Sequence, residues 1–232
     1  MHRHLLAVIS CLAALGANAV QPSVTVVGTV SVTTAAERAN LGNLAVWLLP
    51  VGDAPRQPAA KRSLTMTQQN KRFDPHVLVV PVGSVVNFPN RDPFFHNVFS
   101  LYDGKRFDLG LYEAGSSKGV TFSKPGICYV FCNIHPEMSA VIIAVNTPYY
   151  TVSSRSGEIR IADVPPGRYV LNVWHEFYSP ATPGDAPREV TISDANRSLG
   201  TIRLVDTGKT IAPHKNKYGH EYEPTPSSPV YR

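Results

Sequence analysis

The residues best suited to bind a metal ion lie in one short segment of the chain, residues 132–138. Cys132, His135 and Met138 follow the spacing C-x2-H-x2-M there, directly after a predicted strand, and His96 stands 36 residues before Cys132. A thiolate, two imidazoles and a thioether are the ligand set of a blue-copper electron-transfer site, with two His and one Cys in a trigonal plane and a long axial Met. The sequence therefore predicts a copper site made of these four residues.

The chemical requirement behind this ligand set is specific. Cu(I) favours soft sulfur and few ligands, whereas Cu(II) favours nitrogen and a tetragonal shell, so a rigid intermediate site keeps rearrangement small when an electron moves. Zinc fits less well because Met is a poor zinc ligand. A plain structural interpretation, with Cys132 as a core thiol and the histidines as loop residues, does not account for four candidate ligands at ordered spacing.

The elements that must position these ligands are predicted to be strands. The chain of 232 residues contains 27 Val, 16 Gly and 20 Pro, and 43% of it is apolar. Abundant β-branched residues separated by turn formers favour short strands, and no window keeps a helical period. We expect an all-β sandwich architecture. Predicted strands cover residues 23–32, 43–50, 64–68, 77–80, 84–88, 120–122, 126–132, 139–145, 149–152, 158–161, 169–174, 189–192 and 198–204, with an irregular stretch over 102–119.

The N-terminus has the pattern of a secretory signal peptide over residues 1–19. Arg3 precedes an apolar run over 5–15, and Ala17 and Ala19 form an A-x-A cleavage signal. A lipid anchor at Cys11 is disfavoured because the apolar run before it is only about six residues. No other stretch approaches the roughly 18 apolar residues of a membrane span. The net charge of +5 without a dense Lys/Arg run does not indicate nucleic-acid binding. We therefore expect a soluble protein of the bacterial periplasm.

Residues 61–146 resemble the cupredoxins. The resemblance is carried by PVGSVVNFPNRD, HNV and PGICYVFCNIHPEM, and the C-x2-H-x2-M loop is similar to that of amicyanin. The longer pattern, made of FDPHVLVVPVGSVVNFPN, HNVFS, FDLG and CNIHPEM, is similar to exported bacterial plastocyanin-like proteins often labelled methylamine utilisation proteins. By position, the resemblance implies that His96, Cys132, His135 and Met138 hold one mononuclear type 1 copper in a Greek-key β-sandwich.

The same resemblance implies supporting residues around the ligands. Asn97 matches the residue whose backbone N–H reaches the cysteine sulfur, and such donors tune the reduction potential. Asn133 is expected to form a hydrogen bond across the ligand loops, and Asn90 belongs to the same supporting set. Ordinary turn chemistry is the alternative explanation for asparagines at such positions.

The resemblance also implies a route for electrons. The ring edge of His135 is the expected electron port, and the apolar patch around it has four candidate members, Phe94, Phe95, Ile134 and Pro136. Phenylalanines in a β protein are also common core residues. A c-type cytochrome or an exported dehydrogenase is the expected partner, met through a small transient interface.

Cys128 raises one alternative, because the spacing C-x3-C approaches the dinuclear copper-A motif. That motif needs three residues between Cys132 and His135, and here there are two. Residues 129–131 are strong strand formers, so four strand steps place Cys128 about 13 Å from Cys132 at ~3.3 Å per residue. A disulfide needs Cα atoms within about 7 Å. We therefore interpret Cys128 as a small buried hydrophobe.

A second resemblance surrounds the first. Residues 23–50, with VVGTVSV and LAVWLLP, resemble the opening of a carboxypeptidase regulatory-like (transthyretin-like) sandwich, and residues 153–176, SSRSGEIRIADVPPGRYVLNVWHE, resemble its second half. We predict that 20–60 and 147–206 pair into one discontinuous domain with the cupredoxin inserted between them, and that 207–232 is a disordered tail with solvated His214 and His220. Three loosely connected β-units are the alternative.

These features predict a one-electron carrier. A periplasmic protein that sequesters or delivers copper without passing electrons has the same ligand set and stays open. A third possibility is an interaction protein whose copper site is degenerate. We do not expect an enzyme, because the sequence contains no open-site metal triad and no positioned nucleophile–base pair.

Overall fold

The computed structural model describes residues 22–33, 41–101, 104–209 and 214–222. All regular secondary structure within these ranges is β-strand, so the all-β prediction is confirmed. No helix among these residues has the length and apolarity to span a bilayer. The predicted signal peptide, 1–19, and Cys11 lie outside the described residues.

Eighteen strands form in the described residues. They are β1 (Val24–Thr33), β2 (Ala45–Val51), β3 (Ser63–Thr65), β4 (Thr67–Gln69), β5 (Arg72–Asp74), β6 (Val77–Pro81), β7 (Val85–Pro89), β8 (His96–Ser100), β9 (Phe107–Tyr112), β10 (Ser117–Thr121), β11 (Gly126–Phe131), β12 (Ser139–Val145), β13 (Tyr150–Val152), β14 (Glu158–Val164), β15 (Gly167–Trp174), β16 (Tyr178–Pro180), β17 (Arg188–Ile192) and β18 (Ser198–Asp206).

The first and last parts of the chain build one sandwich together, which we call the outer sandwich. One sheet has the order β14-β1-β18-β16 and the other β13-β2-β15-β17. β1 lies between β14, which is antiparallel to it, and β18, which is parallel to it. The segment 24–33 therefore has strand partners within 158–206, the pairing that a discontinuous domain requires. The assignment of this unit to a regulatory-like family stays a prediction.

The middle of the chain builds the inner sandwich. Its sheets have the orders β10-β7-β3 and β6-β12-β11-β8-β9, and β4 and β5 form a separate hairpin. β12 lies between β6 and β11, and alternate residues of this strand enter two different apolar clusters. Ala140 and Ile142 face the inner core, whereas Val141 and Ile143 face the outer sandwich. Burial on both faces explains why this strand is a continuous apolar run.

A third apolar cluster joins the two sandwiches. Val77, Val141 and Ile143 form part of it, and Trp47 and Trp174 pack against it. His76 adds a polar link: its Nε2 lies 2.7 Å from Glu176 of the outer sandwich, and its Nδ1 lies 3.1 Å from the carbonyl oxygen of Ser139. The apolar packing fixes how the outer sandwich contacts the sheet that carries the candidate ligands.

Four strands were not among the predicted ones: β5, β8, β9 and β16. The clearest correction is the stretch 102–119, expected to be irregular, which contains β9 and part of β10. β9 is an edge strand, and its register against β8 shifts between Asn97 and Phe99. Gly110 within β9 has φ +65°, a left-handed conformation that suits glycine. The irregularity breaks the alternation from which strands are recognised.

The C-terminal prediction also needs a correction. Residues 214–222 make specific contacts with the inner sandwich, although five of them are exposed. The Tyr222 hydroxyl donates to the carbonyl oxygen of Cys132 at 2.7 Å, and Lys217 Nζ lies 2.7 Å from Asp108 Oδ2. His214 is half-buried, while His220 is exposed. The segment has few core residues because polar contacts and ring packing hold it, and neither leaves a hydrophobic pattern. Residues 210–213 and 223–232 lie outside the described ranges.

Candidate metal centre

Two neighbouring antiparallel strands bring the distant ligand candidates together. Phe99 of β8 pairs with Phe131 of β11, so His96 at the start of β8 and Cys132 just beyond β11 lie at the same end of the sheet. The loop after Cys132 is closed by its own backbone. The amide of Cys132 donates to the carbonyl of Met138 at 3.2 Å, and the amide of Met138 donates to the carbonyl of His135 at 3.0 Å. Strand pairing and loop closure therefore place the donors.

Three donor atoms converge at this end of the sandwich. Cys132 Sγ lies 3.7 Å from His96 Nδ1 and 3.7 Å from His135 Nδ1. All three atoms lie within 4.8 Å of one another. With metal–sulfur and metal–nitrogen bonds of roughly 2.3 and 2.0–2.1 Å, a separation of 3.7 Å corresponds to an angle of about 115° at the metal. Both S···N separations thus fit a metal ion bound by the sulfur and the two nitrogens, with S–metal–N angles close to trigonal.

Met138 is the fourth predicted ligand, and hydrogen bonds of its backbone fix its position in the loop. It is fully buried and belongs to the core of the inner sandwich. Its amide and carbonyl both close the loop that carries Cys132 and His135. The thioether is therefore shielded from water in the same loop as two donors, which suits a soft axial ligand.

The sulfur of Cys132 is buried but surrounded by backbone donors. Burial raises the pKa of this thiol above its usual value, and hydrogen bonds from the amides of Asn97, Ile134 and His135 act in the opposite direction without cancelling it. The metal-free thiol therefore holds its proton, and a metal ion displaces it on binding. The three amides then stabilise the thiolate. Asn97 is one of these donors, at the position that the resemblance implied.

Asp92 is a site residue that the sequence analysis missed. It is buried, and its Oδ2 accepts a hydrogen bond from His96 Nε2 at 2.8 Å. With Nε2 donating to this carboxylate, Nδ1 presents its lone pair toward Cys132, which is the arrangement of a metal-binding histidine oriented by a carboxylate. A carboxylate four residues before a candidate ligand was the available signal.

A hairpin turn holds the Asp92 carboxylate in place. The backbone amides of Asn70 and Lys71 donate to its two oxygens at 2.6 and 2.9 Å. Both turn residues have positive φ, as the two-residue turns that suit β-hairpins require. Burial alone raises the pKa of Asp92, but the hydrogen bonds from Lys71, His96 and Asn70 outweigh it, so the pKa lies below its usual range. The carboxylate stays ionised and able to orient the imidazole.

Asn90 supports the same loop from within. Its Nδ2 donates to the carbonyl of Phe94 at 2.8 Å, and its Oδ1 accepts from the amide of Asp92 at 3.0 Å. The side chain is almost fully buried. It therefore fixes the path of residues 90–96, which deliver both His96 and its carboxylate partner.

Asn133 does not act as expected. Its Oδ1 accepts a hydrogen bond from the backbone amide of Lys217 at 2.8 Å, and among the described residues its side chain has no hydrogen bond across the ligand loops. The expectation failed because the C-terminal segment was predicted to be disordered. Asn133 instead joins the residue after Cys132 to a distant part of the chain.

The residues expected around the electron port lie at the surface in varying degree. The Phe94 ring centroid lies 5.2 Å from that of His96 and 5.4 Å from that of His135. Phe94 is half-buried, whereas Phe95 is 54% and Ile134 39% exposed. Pro136 is half-buried. Apolar side chains therefore lie beside His135, which is half-buried, whereas His96 of the same cluster is buried.

Electrostatics keep that imidazole neutral. Burial lowers the pKa of His135 below its usual value, and the neighbouring His96 acts in the same direction. A neutral imidazole is the form that binds a metal ion.

Cys128 lies apart from the cluster. Its sulfur contacts Ser100 Oγ at 3.3 Å and the carbonyl oxygen of Lys105 at 3.4 Å, within the inner core. Burial raises the pKa of this thiol above its usual value. Its burial agrees with the interpretation of Cys128 as a small buried hydrophobe.

No family model matches this sequence, and no curated protein matches it. Among solved structures, the chain is similar to a Cu-containing nitrite reductase (NirK) from Thermus scotoductus SA-01, with 27% identity over 42% of this chain and a TM-score of 0.35. It spans only 28% of the length of that chain. A purple cupredoxin from Nitrosopumilus maritimus matches with 21% identity, 35% of this chain, 99% of that chain and a TM-score of 0.33.

A mutant of amicyanin in the Cu(I) state matches with 19% identity, 36% of this chain, 82% of that chain and a TM-score of 0.34. The inner sandwich is all-β, with the three-donor cluster at one end of its larger sheet.

Proposed function

We propose that this protein is an exported carrier of single electrons with one type 1 copper ion. His96, Cys132 and His135 hold the ion, and Met138 is the axial ligand. The observation that carries the proposal is the convergence of one sulfur and two nitrogens, with both S···N separations at 3.7 Å, at the buried end of a sheet. The bound ion supplies the Cu(II)/Cu(I) couple.

The support for an electron carrier is that the protein itself fixes the donors. Asp92 holds the His96 ring, backbone bonds close the loop from Cys132 to Met138, and three amides aim at the sulfur. Such preorganisation limits the rearrangement that accompanies electron transfer. A store that releases its metal has no need for it.

The placement of Cys128 favours one copper ion over two. A dinuclear site needs both thiols at the metal pair, and the sulfur of Cys128 is engaged with Ser100 and Lys105. The three-donor cluster does not include it.

Electron exchange is proposed at His135, whose ring is half-buried beside Phe94. Exposed Phe95 and Ile134 extend an apolar surface there. A small apolar surface suits the transient encounters of redox proteins, which bury less than about 1,200 Å2. We propose a c-type cytochrome or an exported dehydrogenase as the partner, in the bacterial periplasm, and no catalytic role.

Copper titration of the protein tests this function. The wild type should develop an intense visible sulfur-to-copper charge-transfer band at one copper per chain, and Cys132→Ser should lack it. Cys128→Ser is the matched control and should keep the band. Voltammetry should then show a reversible one-electron couple.

Two outcomes would contradict the proposal. A colourless wild type would remove the blue-copper site. A coloured protein that loses its copper to a chelator on each reduction would favour sequestration or delivery of copper.

A further inference from the structure

The segment 214–222, which we call the C-terminal clasp, lies against the strand end and loop that carry Cys132. The Tyr222 hydroxyl donates to the Cys132 carbonyl at 2.7 Å, and the amide of Lys217 donates to Asn133 Oδ1 at 2.8 Å. The His214 ring centroid lies 4.1 Å from that of Phe131. The clasp thus contacts three consecutive residues, 131–133, with Cys132 in the middle.

A chain of polar contacts links the clasp to the sulfur from the other side. Lys217 Nζ lies 2.7 Å from Asp108 Oδ2, and Asp108 Oδ1 accepts a hydrogen bond from Asn97 Nδ2 at 2.7 Å. The backbone amide of Asn97 in turn donates to the sulfur of Cys132. Lys217 is therefore linked to residues on both sides of the sulfur. Its amine reaches Asn97 through Asp108, and its backbone amide bonds to Asn133.

The position of the Asn97 side chain depends on its hydrogen bond to Asp108. It is almost fully buried, and its Oδ1 has no hydrogen-bond partner among the described residues. Its Nδ2 bond to Asp108 is thus the contact that fixes the amide group. Within the part of the chain that the structure describes, no second hydrogen bond holds this side chain, so a change in Asp108 should propagate to Asn97.

The rings of His214, Tyr222 and Phe131 also pack over the backbone of Cys132. The His214 ring centroid lies 5.2 Å from that of Tyr222, and the Tyr222 hydroxyl lies 3.2 Å from His214 Nδ1. Tyr222 and His214 are half-buried, and Phe131 beneath them is buried. Together the rings keep water away from the backbone of Cys132.

We propose that the C-terminal clasp positions the Cys132 sulfur and the Asn97 amide and excludes water from that side of the metal centre. Its effect on redox behaviour rests on the proposed copper function. The oxidised site carries one more positive charge than the reduced site, so a dry environment and hydrogen bonds to the thiolate favour the reduced form. The clasp therefore raises the reduction potential and protects the thiol.

The first test uses the metal-free full chain. Iodoacetamide labels accessible thiols, and peptide mapping measures the rates at Cys132 and Cys128 separately. Lys217→Met and Tyr222→Phe should label Cys132 roughly five- to thirtyfold faster, because each removes a hydrogen bond that opposes local opening. Cys128 should label at the wild-type rate, which shows that the variants remain folded.

Lys215→Met is the matched control. Lys215 belongs to the same segment, but its amine is mostly exposed, and its ion pair within the described residues is a long one, 3.9 Å from Glu221 Oε1. The control removes the same charge as Lys217→Met without touching Asp108. It should label Cys132 at the wild-type rate.

The second test uses the copper-loaded chain. Both clasp variants should have a lower reduction potential than the wild type. Tyr222→Phe removes no charge, so its shift reports position and water exclusion. Unchanged labelling of Cys132 and an unchanged reduction potential in both variants would contradict the proposed role of the clasp. A wild type that binds no blue copper would refute the proposed function instead, and the labelling rates would still decide the role of the clasp.

Discussion

The outer and inner sandwiches bury polar side chains for different purposes. In the outer sandwich, Thr147 donates to the carbonyl of Leu48 at 2.7 Å, and Ser153 donates to the carbonyl of Leu41 at 2.6 Å. These hydroxyl groups join backbone from the two separated parts of the chain. Their role is to satisfy the backbone and tie the unit together.

The inner sandwich instead gathers several buried polar groups near the metal centre. They are Gln68, Asn90, Asp92, His96 and Asn97. Buried polar groups cost free energy unless they are fully paired, so a concentration of them at one end marks a site and not a core. We therefore expect the buried polar groups of the inner sandwich to cost stability while they orient donors, whereas those of the outer sandwich join its two chain segments.

The largest expected effect is on the outer core. Leu48 is fully buried, and Leu48→Ala should lower the free energy of unfolding by about 2–5 kcal/mol through lost burial and a cavity. Denaturant titration measures it, with Val27→Ala, at an exposed position, as the control. The copper band of the folded variant should keep its wavelength. A shifted band would show that the outer sandwich shapes the metal centre and would weaken the contrast.

A smaller effect, on metal affinity, is expected when the Asp92 carboxylate that bonds to His96 is replaced. Asp92→Asn removes the charge that orients the ring, and such changes typically cost about 10–100-fold in metal affinity. Competition with a chelator measures the copper dissociation constant. Asp74→Asn is a control at an exposed carboxylate. An unchanged affinity in Asp92→Asn would mean that the strand alone positions His96.

The smallest effect concerns the contact between the sandwiches. The hydrogen bond to Glu176 raises the pKa of His76 above its usual value, although burial opposes this. A raised pKa stabilises the fold fully below the ordinary value of 6.5, and the contribution is lost as pH rises through the folded pKa. His76→Gln should remove this dependence on pH.

Unfolding free energies near pH 6 and pH 8 measure the difference. The wild type should lose slightly more stability over that range than His76→Gln, because the pair is partly exposed and screened. Equal losses would show that the ion pair contributes nothing to the interface.

The cluster of donors was predictable because most of its information is local. Cys132, His135 and Met138 stand on one loop whose spacing is visible in the sequence, and His96 follows from the ligand type still needed. Strands such as β12 and β15 were predictable because burial imposes a clear pattern on them.

The remaining features depend on contacts between distant residues. Asp92 is held by the turn amides of Asn70 and Lys71, and no periodicity reveals which carboxylate a turn will meet. The C-terminal clasp is polar and contacts Cys132 from 90 positions away. Sequence patterns report burial of apolar faces, whereas these features depend on individual hydrogen bonds.

X-ray absorption spectroscopy of the copper-loaded protein tests the central claim most directly. The absorption fine structure should contain one short copper–sulfur distance and two copper–nitrogen distances, with no second copper nearby. A spectrum without the sulfur, or with a neighbouring copper atom, would contradict a single ion held by Cys132, His96 and His135.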